Sequence, residues 1–151
     1  MAGPSAVEYE DRLATVAEFG ELFDSVGWPR YEAPSSAAAL DGSLFGTVAM
    51  DEGEVVAMGR VVGDGGKFFY IQDLIVRPEY QGRGIGRQIV RRLTSMIEKK
   101  APGSAFIGVF ATPEAIPLYT RMGLDSAFGG LTGMAAVKNP GDIDQGRADL
   151  D

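Results

Sequence analysis

Neither cysteine nor histidine occurs among the 151 residues. Without cysteine there are no disulfides, no thiolate nucleophile and no cysteine metal site. Without histidine there is no Ser–His–Asp triad, no imidazole base and no histidine metal ligand. Chemistry on this chain has to use Asp, Glu, Tyr, Lys, Ser, Thr or ordered water. No carboxylates recur at calcium-loop spacing, so no metal is expected. No run of about 18 apolar residues is present, which leaves no membrane partner to expect. The start, Met1-Ala-Gly-Pro-Ser-Ala-Val-Glu8, has neither the basic region nor the apolar core of a secretory signal, so the expected compartment is the cytoplasm. Basic residues are the minority. The net charge of −7 argues against a nucleic-acid partner.

What is present reads as an ordinary globular chain, 45% hydrophobic and 23% charged, long enough for one core. A single domain over 1–138 is expected. Residues 139–151 are acidic and almost free of large apolar side chains, and are expected to be disordered.

The chain is organised around Asp73-Leu-Ile-Val-Arg-Pro-Glu-Tyr-Gln-Gly-Arg-Gly-Ile-Gly-Arg87. Leu74, Ile75 and Val76 read as a strand, which Pro78 stops because it has no N–H for a sheet ladder. Gln81-Gly-Arg-Gly-Ile-Gly86 then gives a glycine turn, and Ile85, Ile89, Leu93 and Ile97 recur at helical spacing. A glycine turn opening a helix offers unpaired N–H groups at a positive dipole end, a seat for phosphate. The P-loop is excluded because no Lys-Ser or Lys-Thr follows. The dinucleotide fingerprint is excluded because Gly86 comes one residue too early. Half of the fourteen basic residues, among them Arg77, Arg83, Arg87, Arg91 and Arg92, lie between 77 and 100. Arg91, Arg92, Lys99 and Lys100 are read as a solvated helix face.

Gln81-x-x-Gly84-x-Gly86, set between an apolar strand and an amphipathic helix, resembles the acetyl-CoA-binding segment of the GCN5-related N-acetyltransferase (GNAT) superfamily. The resemblance extends over roughly residues 45 to 137. A narrower likeness is carried by Arg60-Val-Val-Gly-Asp-Gly65, Ile71-Gln-Asp-Leu-Ile-Val76 and Gly133-Met134. These resemble bacterial relatives of the chloroplast-type arylalkylamine (serotonin) acetyltransferases.

In chain order, Val7–Glu10 is expected as a first strand. A helix is expected over 12–25 from Leu13, Val16, Phe19, Leu22, Phe23 and Val26. A short helix through 37–40 would be capped by Ser35 or Ser36. Strands over 44–50, 55–62 and 68–76 form a meander. A helix over 84–99 precedes a buried central strand at 105–110. Thr112-Pro113-Glu114 reads as a helix start with a capping hydroxyl, and Pro117, near the end of the first turn, is expected to cost some stability or bend that helix. A last strand is expected over 128–137. The order β-α-α-β-β-β-α-β-α-β is α/β (α+β). It matches the resemblance, which implies a mixed, mainly antiparallel sheet of about six to seven strands flanked by about four helices.

The resemblance implies acetyl-CoA as co-substrate and acetyl transfer to a primary amine. The main chain of Ile75 and Val76 would receive the pantetheine arm. Gln81, Gly82, Arg83, Gly84, Ile85, Gly86 and Arg87 would hold the diphosphate. Tyr119, in Ala115-Ile-Pro-Leu-Tyr-Thr-Arg-Met-Gly-Leu124, stands where the family places a general acid for the leaving thiolate. Thr112, where many members have Asn, puts one contact to CoA in doubt; Leu124 replaces a usual Phe.

Asp73, between Ile71 and Leu74, is a candidate base if an apolar setting raises its pKa, or an anchor for a cationic substrate. Asp64 is a second candidate, for which turn formation is the competing reading. Trp28, Tyr31, Phe110 and Met134 are candidate walls of an acceptor pocket; Trp28 and Tyr31 read equally as cover for the core. The expected partner is a small-molecule amine, with a homodimer admitted because dimers are frequent in the superfamily. A protein or peptide acceptor, or a non-catalytic acyl-CoA-binding module, remains as an alternative.

Overall fold

The computed structural model of the chain describes residues 6–126 and 128–137. The expected tail, 139–151, lies outside the described residues. Among them, five strands form one mixed sheet in the order β1-β2-β3-β4-β5: β1 Glu8–Glu10, β2 Phe45–Asp51, β3 Glu54–Gly63, β4 Phe68–Val76 and β5 Phe106–Val109. The first three pairings are antiparallel and β4–β5 is parallel. Four helices accompany the sheet: α1 Val16–Ser25, α2 Ala33–Asp41, α3 Ile85–Lys100 and α4 Ile116–Arg121. The four expected helices are present; the six to seven expected strands are five.

The meander follows its local chemistry. Glu52 and Gly53, at φ 51° and 81°, make the two-residue turn that matches strand twist between β2 and β3. Between β3 and β4, the Asp64 carboxylate accepts the N–H groups of Gly66, Lys67 and Phe68 at 2.8, 2.8 and 3.0 Å. Those three bonds hold its pKa below the usual carboxylate value. Asp64 therefore forms the turn.

Two layers of core flank the sheet. Ile85, Ile89, Val90, Leu93 and Ile97 of α3 pack on one face with Ala57, Val61, Phe69 and Ile71. Phe19, Leu22, Phe23 and Leu40 of α1 and α2 pack on the other with Val48, Met58 and Ile75. Alternation along β3 and β4 sends successive side chains to opposite layers, which is why both strands are almost continuously apolar.

Helix starts and caps differ from the sequence reading at several places. α1 starts four residues late, because Thr15 caps it. α2 starts early at Ala33, with Pro34 in its first turn and no side-chain cap from Ser35 or Ser36. Pro117 stands nearer the start of its helix than the sequence reading has it. A single 3-10 turn, Pro113–Ala115, precedes α4, so Pro117 falls in the first turn of α4, where its missing N–H is not needed. The Thr112 hydroxyl makes no cap bond.

The C-terminal region differs most. Phe128–Gly130 is a 3-10 turn, and 131–137 adopt no regular structure in place of the expected last strand. Gly129 and Gly130, both at positive φ, turn the chain where a strand would have to start. In consequence β5 is an edge of the described sheet and only half-buried, not the buried central strand expected.

Candidate functional site

The site is built where β4 parts from β5. Their parallel ladder runs from Phe68↔Phe106 to Ile71↔Val109 and stops. β4 continues five residues to Val76, paired on its β3 side alone. Opposite the parting, β3 and β4 lose register. Met58 faces Ile75 and Arg60 faces Gln72, so one residue of β3, Gly59, opposes two of β4, Asp73 and Leu74. This is a β-bulge, and Asp73 at its centre holds φ +53°, uncommon for any residue but glycine. A Cβ on Gly59 would meet Ile89 at 2.9 Å and Leu93 at 3.0 Å, so only glycine lets α3 lie this close across the bulge.

The ladder decides which main-chain groups of β4 face the opening. Arg77 N–H donates to Val56 O at 2.9 Å. By antiparallel alternation Ile75 pairs its N–H and C=O with Met58, and Val76 turns its own to the opposite side. Val76 O there accepts from Gln81 Nε2 at 3.0 Å. Of the two residues expected to bind by main chain, Val76 faces the opening and Ile75 faces β3.

The glycine turn follows one 3-10 turn, Pro78–Tyr80. Gly82 and Gly84 hold φ 79° and 80° with open space where a Cβ would stand. Gly84 occupies the N-cap position of α3, and no side chain caps that end. The first helical bond is Gln88 N–H to Gly84 O. The N–H groups before it are thus presented outward at the positive end of a 16-residue helix. Arg87 is exposed at that end. Arg83 instead folds back, donating to Glu79 O at 2.9 Å with its guanidinium 5.0 Å from the Tyr80 ring centre. The ring hydroxyl in turn donates to Asp51 at 2.6 Å.

α4 closes the other side. A Cβ on Gly86 would lie 3.6 Å from Val76 and 3.8 Å from Leu118. Tyr119 follows Leu118 and is 5% exposed. Burial pushes its phenol up to about 12. Tyr119 also lines a cleft of about 500 Å³ with Asp73, Trp28, Tyr31, Phe110, Phe23 and Val137 among its walls. Apart from Asp64, which forms the β3–β4 turn, five of the six residues expected for catalysis or acceptor binding therefore meet in one place. The sixth, Met134, is 89% exposed and is not among the cleft residues.

Asp73 differs from its expectation. Its setting is not apolar: Arg60 Nε from β3 donates to Asp73 Oδ2 at 2.7 Å, with both side chains nearly buried. One oxygen of the Asp73 carboxylate is thus engaged by an arginine. Arg60 was absent from the residues expected at the site. The signal for it was weak: an arginine flanked by Gly59 and Val61 in a strand that otherwise reads as core.

Comparison with known proteins fits this geometry. A model of the acetyltransferase (GNAT) domain matches residues 42–123, just over half of the chain. The chain belongs to this family. It is 31% identical to chloroplastic serotonin N-acetyltransferase 2 of Oryza sativa subsp. japonica over 128 residues, 82% of this chain and 63% of that protein. It is 28% identical to a histone acetyltransferase of Glycine max, over 79% of this chain and 55% of that protein. The chain thus spans about half to two thirds of the length of these relatives. A solved structure from meticillin-resistant Staphylococcus aureus, described as a probable acetyltransferase, superposes with a TM-score of 0.81 at 26% identity, covering 88% of this chain and all of that one.

Proposed function

We propose that the protein is an acetyl-CoA-dependent N-acetyltransferase that transfers acetyl to a small primary amine within a ternary complex. The observation that carries this reading is the continuity of four features. An uncapped helix end suited to a diphosphate leads along the outward-facing main chain of β4 at Val76 to a buried tyrosine, and beyond it lies an aromatic cleft. The residues present fit the co-substrate, which when bound supplies a thioester carbonyl as the acetyl source.

Each residue then has a definable task. The N–H groups of Gly84, Ile85, Gly86 and Arg87 bind phosphate oxygens, with Arg87 adding charge. The Val76 main chain receives the amide-bearing arm once the Gln81 side chain yields its place. Tyr119, neutral throughout the physiological range, offers its O–H to the departing sulfur. Complete proton transfer from a phenol near 12 to a thiolate of ordinary pKa, about 8.5, is uphill. Its contribution is therefore a hydrogen bond that strengthens as charge develops on sulfur. The acceptor arrives as a free amine or loses its proton to water, while Asp73, bonded to Arg60 through Oδ2, lines the cleft beside it. Trp28, Tyr31 and Phe110 provide apolar walls sized for a small molecule. The alternative, a protein or peptide acceptor, draws support from the Glycine max relative's name. The exposed rings of Tyr31 and Phe110 at the cleft edge are compatible with it.

The test is calorimetric titration with acetyl-CoA, then release of CoA thiol over a panel of amines and lysine peptides. The absence of cysteine leaves that assay free of protein background. Tyr119→Phe, which removes that hydrogen-bond donor, is expected to lower kcat by about 10²-fold with acetyl-CoA affinity unchanged. The native kcat profile should show no basic limb from Tyr119 below about pH 11, because its phenol ionises near 12. Absence of acetyl-CoA binding by the native chain would overturn the reading; turnover of peptides in preference to free amines would replace the acceptor.

A further inference from the structure

The backbone at Asp73 is strained, and something has to hold it. A non-glycine residue at φ +53° crowds its Cβ against its own carbonyl, and aspartate tolerates this only somewhat better than most. Nothing in Ile71-Gln-Asp-Leu74 demands the conformation. Left to itself a strand stays regular, and a regular β4 would keep its edge in line with β5 beyond Ile71 and Val109.

The restraint comes from outside the strand. Arg60 Nε grips Asp73 Oδ2 at 2.7 Å, while its Nη1 donates to Ser43 Oγ at 3.0 Å. Ser43 Oγ in turn donates to Ala39 O at 2.7 Å, in the last turn of α2. A chain of polar contacts thus runs from a helix end through Arg60 to the centre of the bulge. With side-chain exposures of 12% and 15%, the pair is scarcely screened by solvent. A guanidinium makes both contacts from separate nitrogens, Nε and Nη1, held in one rigid plane, which fixes their relative direction.

We infer that Arg60 is a positioning residue for the acyl donor: by holding Asp73 in the left-handed conformation, it keeps β4 parted from β5 and the Val76 main chain turned to the opening. This rests on the function proposed above, and it concerns a residue that touches neither donor nor acceptor. The bulge is the strained element, and Arg60 is the clamp that maintains it.

Four proteins separate conformation from charge: the native chain, Arg60→Met, Arg60→Met/Asp73→Gly and Arg60→Met/Asp73→Ala. Each is titrated calorimetrically with acetyl-CoA in the absence of acceptor, and its thermal unfolding is recorded alongside. Arg60→Met should bind acetyl-CoA about tenfold more weakly, the equivalent of one well-made hydrogen bond. The two double variants both lack the ion pair and differ by a single Cβ. Glycine takes φ +53° freely, so the Gly variant should recover to within about threefold of the native affinity. Alanine resists that conformation and should leave affinity as low as in Arg60→Met.

Equal affinities in the two double variants would overturn the inference, because charge and not conformation would then be at issue. Native-like affinity in Arg60→Met, even with a lowered Tm, would overturn it too and leave the pair a stabilising contact only. If Arg60→Met does not fold, the two double variants, which carry no orphaned carboxylate, decide alone. Failure of the native chain to bind acetyl-CoA would instead strike the proposed function, and the inference would fall with it.

Discussion

α1 and α3 begin in opposite ways. At α1 the Thr15 hydroxyl accepts the N–H of Glu18 at 3.2 Å, and the Glu18 carboxylate accepts the N–H of Thr15 at 2.9 Å. Arg12 completes the arrangement with two donors to the same carboxylate. Both reciprocal bonds of the cap are made. At α3 the cap is a left-handed glycine without a side chain, no acidic residue stands in the first turn, and the third helical position, Glu18 in α1, is Arg87. A cation at the positive end of a helix opposes the dipole by a few tenths of a kcal/mol or more. The first helix end is arranged for stability; the second forgoes it and stays open to an anion.

The comparison can be broken in order of expected effect. Gly84→Glu would put a carboxylate into the open seat and an unfavourable side chain at φ 80°; acetyl-CoA affinity should fall by at least about 100-fold in calorimetry. Arg87→Glu would make α3 resemble α1. Affinity should fall by about tenfold or more, while thermal stability rises slightly, the two changing in opposite directions. Thr15→Ala should do the reverse of a site mutation: a loss of about 1 kcal/mol in denaturant unfolding with unaltered acetyl-CoA affinity.

The smallest effect is a pH dependence at α1. The hydrogen bond from Arg12 is the main influence on Glu18 and holds its carboxyl below the ordinary value, against partial desolvation. Stability from this group is therefore present above about pH 4.5 and lost as the pH falls through the lowered value. Glu18→Gln should be less stable than the native chain at pH 7 by a fraction of a kcal/mol. That difference should close on acidification below pH 4.

The same contrast explains how much was legible. The ends of β4, α3 and the glycine turn could be read because local chemistry sets them: Pro78 stops one element, and Gly82 and Gly84 begin the next. Tyr119 was legible from its place in a resembled motif, and it lies in the cleft with Asp73, Trp28, Tyr31 and Phe110. The bulge was not legible, since Asp73 is held left-handed by an arginine thirteen residues away in sequence. Which of Ile75 and Val76 faces the opening depends on that register, so a one-residue irregularity decided it. The strand expected at 128–137 failed for the opposite reason: an apolar pattern broken by Gly129, Gly130 and Gly133 says where a strand would sit if something paired with it, not that anything does.

The hydroxyl of Tyr80 on Asp51 has a practical consequence. It hangs the entry to the glycine turn on the β2–β3 hairpin, with Arg83 stacked over the same ring. Exposed hairpin tips are the usual choice for grafting a tag or a sensor insert. Here the tip at Glu52-Gly53 adjoins the residue that carries that hydrogen bond, so an insert there would disturb the ligand-binding end as well as the hairpin. The loop Pro102–Ser104 after α3 is exposed, and nothing lies within 4 Å of a Cβ on Gly103. A label placed at Gly103 would ride on the fold without pulling on it, and in a chain without cysteine Gly103→Cys would be its only thiol.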